Sequence, residues 1–266
     1  RARTDGVELR LPATAAAALP RVLSRVSRMF DLDADVVAIA AALSRDPRLA
    51  RAFKGRVVRV PGAFDAFEAG VRALLGQQVS VAAARTLAGR LVAAAGAPLH
   101  APAGALTHVF PTPAAVAAAP LETLGLTRSR AAALRGFAAA VASGALDLGA
   151  FRDLDDAVAK LVSLPGIGDW TAQYLAMRAL GEPDAFPAGD LGVRQALAVR
   201  GVLPSERQVR ERAERWRPWR SYAVLALWTE PKLAPSTGRK PRRARPAITP
   251  THATRSRARS ARKAPR

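Results

Sequence analysis

Apolar residues recur at helical spacing along most of this chain. Residues 14–30 place Leu19, Val22, Leu23, Val26 and Phe30 on one face, which predicts an amphipathic helix. A second helix is expected from about Ala34 to Leu43. Arg45–Arg59 is basic and less regular, and it ends in Pro61-Gly62. From Phe64 the helical period returns, with Phe64, Phe67, Val71, Leu74 and Leu75 in one stripe. Gly76-Gln77-Gln78 interrupts it, and Ser80 can cap a helix running through Gly96. Pro98–Pro113, rich in Pro and Gly, is expected to be a loop. Short helices follow at 113–119 and 121–125, then longer ones at 128–143 and Asp153–Val162. Leu164-Pro165-Gly166-Ile167-Gly168 breaks the pattern, and Trp170 opens a helix to Leu180. Further helices fit 190–199, 205–215 and 219–229. The exception is Val7–Leu11, whose alternation reads as a short strand ended by Pro12. Lone strands are unstable, and the chain opens on Arg1 rather than Met, so sheet partners are expected upstream.

Composition supports the helical reading. Half of the 266 residues are hydrophobic and only 5% are aromatic. Ala dominates, and it loses no side-chain entropy in a helix. The net charge of +20 points to a polyanionic partner. It is unevenly spread: residues 232–266 hold 12 Lys and Arg and no Asp or Glu, leaving +8 on residues 1–231. This Pro-, Arg-, Ser- and Thr-rich tail is expected to be disordered, either as a nonspecific nucleic-acid tether or as a solvated basic terminus. The absence of Cys excludes disulfides, thiolate zinc sites, Cys-ligated iron–sulfur clusters and a Cys nucleophile. His100, His108 and His252 are scattered and form no metal constellation. No apolar run reaches the roughly 18 residues of a membrane span, and no signal peptide is visible. A cytoplasmic protein is expected. No phosphate-binding glycine fingerprint supports a nucleotide cofactor.

Candidate chemistry starts at Leu164–Gly168. Two glycines allow a tight turn and close approach of a ligand. The helix that follows presents free N–H groups suited to a phosphate, and Ile167 can pin the hairpin to the core. Alone, the segment reads equally as an ordinary interhelical turn. Its neighbours change that. LPGIGDWTAQYLAMRAL (Leu164–Leu180) followed by DAFPAGDLGVRQ (Asp184–Gln195) resembles the helix-hairpin-helix–Gly/Pro-rich–Asp superfamily of DNA glycosylases. ERWRPWRSYAVLALWTE (Glu214–Glu230), PGAFDAFEAGVRALLGQQVS (Pro61–Ser80) and FPTP (Phe110–Pro113) resemble the AlkA-type 3-methyladenine DNA glycosylase II more specifically. The resemblance runs from about residue 7 to 231.

What it implies is a mainly α, helix-hairpin-helix glycosylase fold of two helical subdomains with a remnant of an N-terminal α+β subdomain. The expected divisions are 1–60 for that remnant and leading helices, 61–231 for the glycosylase domain and 232–266 for the tail. Some relatives carry an alkyl-transfer regulatory module upstream, so such a fusion is expected. Asp190 matches the catalytic Asp. A carboxylate there suits the positive charge that builds on deoxyribose as an N-glycosidic bond breaks, though by position alone it reads as the cap of the 190–199 helix. Asp184 falls where the family has a structural residue. Trp170, Tyr174 and Trp228 resemble the aromatic base pocket, where electron-rich faces favour a cationic alkylpurine. Such aromatics are also ordinary core residues. Trp216 and Trp219 are expected to pack the fold.

Gly76–Ser80 matches the DNA-intercalating loop, making Gln77 and Gln78 DNA-contact candidates beside Pro165, Gly166, Ile167 and Gly168. Gln78 departs from the Leu best known at its position, which weakens an apolar wedge. Asp169 stands where relatives often have a basic residue. Bifunctional lyases of the superfamily carry a Schiff-base Lys at the position of Trp170, so hydrolysis by water is implied, and Lys160 precedes the hairpin. The family hairpin can hold a monovalent cation through carbonyls that would be those of Val162, Leu164 and Gly166; no organic cofactor is implied. Arg194, Arg215, Arg217 and Arg220 read either as phosphate contacts or as a solvated face. The expected partner is double-stranded DNA containing alkylated bases, bound by a monomer. The competing reading is a noncatalytic helix-hairpin-helix DNA-binding module.

Overall fold

A computed structural model of the chain describes residues 6–229. The basic tail from 232, with its expected disorder, lies outside them, as does His252. Helices occupy most of the described chain, and each start has a local cause. A 3-10 turn at Ala13–Ala18 feeds α1 (Leu19–Phe30), which ends where Asp31 turns left-handed at φ 54°. Asp35 caps α2 (Val36–Leu43). Asp65 caps α4 (Ala66–Gly76), which follows α3 (Pro47–Phe53); Ser80 caps α5 (Val81–Ala95). Each of these side chains accepts a main-chain N–H of the first turn, satisfying one of the helix's orphan donors. After α6 (Pro113–Ala118) and a 3-10 turn at Leu121–Leu124 come α7 (Arg128–Ala142) and α8 (Leu154–Val162). Then follow α9 (Asp169–Leu175), α10 (Leu191–Ala196), α11 (Glu206–Ala213) and α12 (Arg220–Thr229).

Three expectations are corrected. The segment read as irregular, 45–59, contains α3: Leu49, Ala52 and Phe53 are buried at helical spacing, and the basic residues between them had obscured the stripe. Pro98–Pro113 is not all loop. β1 (Pro98–Ala103) pairs antiparallel with β2 (Leu106–His108) across a turn at Gly104, which takes φ 60°. In the stretch read as a strand, only Val7 joins a bridge and residues 8–12 have no regular structure.

Two hydrophobic cores organise the molecule. One is drawn from a continuous stretch, from Phe67 on α4 to Ala179, and centres on Leu74, Leu91, Leu134 and Phe137. Gly70 permits it: a Cβ there would lie 2.4 Å from the Phe137 ring. The other joins early and late parts of the described residues. Ile39, Leu49 and Phe53 from the leading helices pack with Phe186, Val209, Trp216 and Ala223–Leu227. α12 runs through this core with Arg220 to Leu227 all buried. The hairpin between α8 and α9 and the loop ahead of α10 lie where elements of the two cores meet.

Candidate active site

The hairpin splits its two glycines between different tasks. Gly166 takes φ 84°, and a Cβ on it would sit 2.4 Å from Ala133 Cβ on α7. It must be glycine for the hairpin to seat. Ile167 beside it is buried, and its N–H donates to Leu164 O at 3.1 Å. Gly168 has ordinary extended backbone and open space where a Cβ would be. It caps α9 without a side chain, so no cap side chain takes the first N–H groups of α9, and Pro165, Gly166 and Gly168 beside them are exposed. An uncapped helix start has free N–H groups that can receive a phosphate. Asp169, at the start of this helix, is engaged laterally: Arg210 of α11 bonds it at 2.7 Å and also bonds Glu206.

Asp190 is both the cap of α10 and the focus of the aromatic residues. Its Oδ1 accepts the Val193 N–H at 2.9 Å and the Trp228 indole N–H at 2.8 Å, while Oδ2 accepts the Trp170 indole N–H at 3.0 Å. Cap and functional carboxylate are therefore compatible, because the cap uses only one acceptor position. A carboxylate offers about four. Three are filled by N–H donors, and the remaining one lies on Oδ2. Gly192 makes room: a Cβ would be 3.0 Å from Asp190 Oδ1 and 3.1 Å from the Trp228 ring. Trp170 stacks on Tyr174, centroids 5.2 Å apart and rings within 12° of parallel, yet keeps 37% of its surface exposed. Trp228 and Tyr174 are half-buried against the second core. The three aromatics thus belong to one cluster with Asp190.

Residues that sequence reasoning did not single out hold this carboxylate in place. α9 widens into a π-helical turn at Ala176–Leu180, and Gly181 leaves it at φ 81°. The loop to Gly189 is then pinned at several points. Buried Ser221 on α12 donates its hydroxyl to Glu182 O and Ala185 O at 2.8 and 2.9 Å, and its N–H bonds Pro183 O. Gln173 accepts the Phe186 N–H at 2.9 Å. Asp184 takes Arg220 through both oxygens at 2.7 and 2.9 Å, with Arg217 at 2.5 Å. Burial, with Asp153 and Asp184 nearby, pushes the Glu182 carboxyl up. Only Asp184 was foreseen as structural; Ser and Gln on helices carry no sequence signal for such a role.

The remaining candidates divide. Gln78 is exposed and left-handed at φ 55°. Gln77 turns inward, its amide donating to Gly166 O and Thr171 Oγ1, each at 3.1 Å. Arg220 is a buried ion-pair partner of Asp184 and Glu214, Arg217 is a half-exposed partner of the same two carboxylates, and Arg194 donates to Pro204 O. Trp216 is buried, with its indole on Asp46, and Trp219 packs edge-on against Tyr222. Lys160 pairs with Asp156 at 2.9 Å and lies 5.6 Å from the Phe151 ring. Among the carbonyls expected for a cation, Leu164 O accepts Ile167 N–H and Gly166 O accepts Gln77. Each retains a second lone pair, and neutral carbonyls suit a monovalent ion. Among the described residues no group of three His, Cys, Asp or Glu could hold a metal, and no helix is long and apolar enough to cross a membrane.

Comparison with known proteins places this geometry. The fold matches the 3-methyladenine DNA glycosylase of Archaeoglobus fulgidus with a TM-score of 0.67 at 27% identity, covering 83% of this chain and 77% of that one. Residues 71–219 match the model of the HhH-GPD superfamily of base excision DNA repair proteins, and residues 1–65 match the AlkA N-terminal domain. The chain belongs to the HhH-GPD superfamily. It is 47% identical over 208 residues to a Mycobacterium tuberculosis protein named as a probable bifunctional transcriptional activator/DNA repair enzyme AlkA, covering 77% of this chain. The chain spans only 42% of that relative's length. It is 41% identical over 209 residues to DNA-3-methyladenine glycosylase 2 of Escherichia coli, covering 77% of this chain and 70% of that protein.

Proposed function

We propose that this chain is a monofunctional DNA glycosylase that releases alkylated bases, chiefly 3-methyladenine and other N3- or N7-alkylpurines, from double-stranded DNA. The observation that carries the proposal is the double indole clamp on Asp190: a fixed carboxylate with one open acceptor position, beside an exposed tryptophan face. Phosphate binding by a hairpin needs neither. The names of the Archaeoglobus and Escherichia relatives agree with the substrate class.

In this mechanism the hairpin takes the phosphate backbone at the start of α9. Gln78 fills the space a flipped nucleotide leaves. The base stacks in the Trp170, Tyr174 and Trp228 cluster, where a cationic ring is favoured over a neutral one. The C1′–N bond breaks, its electron pair leaves with the base, and the alkylpurine departs neutral. Asp190 faces the resulting positive charge on the sugar without reorganising, because its oxygens are already held. Water held at the open Oδ2 position adds to C1′ and passes its proton to Oδ2, leaving an abasic site. The lyase route lacks its amine, since Trp170 occupies that position and Lys160 is engaged with Asp156. A monovalent cation would be held by the carbonyls of Val162, Leu164 and Gly166 and would add positive charge at the hairpin. One chain carries every residue of the site, in keeping with a monomer.

The test is mass spectrometry of bases released from alkylated duplex DNA. The wild-type protein should release 3-methyladenine. Asp190→Asn removes the charge and sets an amide N–H₂ against an N–H donor; release should fall by about 10²–10³-fold or more, while abasic DNA is still bound. A wild-type protein that frees no base would defeat the proposal, and a borohydride-trapped DNA adduct would defeat its hydrolytic form.

A further inference from the structure

The turn at Gly76–Val79 is strained and externally held. Gln77 has φ −58° and ψ 125°, Gln78 has φ 55°, and Val79 N–H reaches back to Gly76 O at 3.5 Å. This is the pattern of a type II turn, whose third position favours Gly or Asn. Gln78 gains no such ease, so surrounding contacts must stabilise the conformation. They are present. Both N–H groups of the Gln77 amide are used inside the protein, on Gly166 O of the hairpin and on Thr171 Oγ1 of α9. Thr171 is only 4% exposed. From the other side, the Arg130 guanidinium on α7 donates to Gln77 O at 2.5 Å.

We infer that Gln77 is a positioning residue: it ties the turn that presents Gln78 to the hairpin, so that both reach the DNA as one rigid unit. The inference rests on the glycosylase reading and deepens it. It assigns Gln77 to a strut between two DNA-facing segments, with its donors unavailable to DNA, and it gives buried Thr171 a part in base extrusion without any contact to DNA.

The strut matters when a paired base must be displaced and matters less when the base is already unpaired. The experiment compares single-turnover release of 7-methylguanine paired with cytosine and the same base in a one-nucleotide bulge. Gln77→Ala and Thr171→Val should each lower the paired-to-bulged rate ratio by about five- to tenfold, the effect of leaving a donor or acceptor unmatched. The double variant should be no worse than Gln77→Ala, because both remove the same tie. A wild-type ratio for Thr171→Val, or equal losses on both substrates for Gln77→Ala, overturns the strut. Should the wild-type protein release base from neither substrate, the glycosylase reading fails instead. Fluorescence of 2-aminopurine beside the target then reads unstacking directly. Reduced unstacking in both variants supports the strut, and wild-type unstacking overturns it.

Discussion

Asp190 combines the helix cap with the carboxylate of the proposed site: the cap fixes Oδ1, and the indoles fix the plane of the group. The contribution of the Trp228 ring can be separated from that of its N–H. Trp228→Phe keeps an aromatic face but leaves Oδ1 with only the Val193 N–H, and Trp170→Phe strips the indole donor from Oδ2. A hydrogen bond to a charged group is worth about 1.5–3 kcal/mol, and in the proposed mechanism these act on the group that faces the developing charge. Each variant should therefore lose about tenfold or more in kcat, with a smaller change in KM, in steady-state base-release assays. A large KM rise with constant kcat would assign the indoles to base stacking alone. At this scale the sequence was informative about identity and silent about direction. Asp190, Trp170, Tyr174 and Trp228 were legible because residue types at family spacing are retained in one dimension. That two indoles would aim N–H groups at one carboxylate depends on rotamers set by Gly192 and by the pinning of the loop at Ser221 and Gln173, which spacing does not encode.

Elements were legible wherever one face is apolar and one end is capped. Ser80 caps a helix as expected, and the helix read from Asp153 starts there. α3 was missed because it is short and Arg48 and Arg51 interrupt its buried residues. The β1–β2 pair was missed because Pro and Gly signal a loop, while its pairing is short and irregular. The π-helical turn in α9's continuation has no composition of its own. The hairpin is the element whose sequence motif conceals the most, since its glycines look equivalent. They are not. Gly166→Ala meets Ala133 and a positive φ, so it should lower stability by about 1–3 kcal/mol, visible as a reduced melting temperature. Gly168→Ala meets open space and ordinary backbone. It should melt near the wild-type temperature but bind duplex DNA more weakly, because on the proposed reading the new methyl stands where a phosphate approaches. Equal melting losses in the two variants would sink this division.

At the scale of the whole molecule, the second core needs the leading helices to find α10–α12, and charged groups mark the joins. Asp31 on the leading segment accepts the Tyr222 hydroxyl from α12 at 3.0 Å and the Val60 N–H at 2.9 Å. Burial and the facing carboxylate push the Tyr222 phenol up. Asp46 makes the deeper join. It is 5% exposed, caps α3 through Arg48 N–H, and receives the Arg212 guanidinium at 3.1 Å and the Trp216 indole at 3.0 Å. Burial alone would raise its carboxyl, but the Arg48, Arg212 and Trp216 hydrogen bonds outweigh burial, and its pKa lies below the ordinary Asp value. A carboxylate with a depressed folded-state pKa contributes stability that is complete above the unfolded value near 4 and is lost as pH falls through the folded one. Asp46→Asn keeps the shape but loses the charge and turns an amide N–H₂ toward one of three N–H donors. At pH 7 it should cost about 1–3 kcal/mol, a drop of several degrees in melting temperature for a chain of this size. Scanned from pH 7 to pH 2, the gap between variant and wild type should hold constant down to about pH 5 and close below about pH 4, as the wild-type carboxyl takes up its own proton. A gap that stays constant through pH 2 would mean that Asp46 acts by shape rather than by charge.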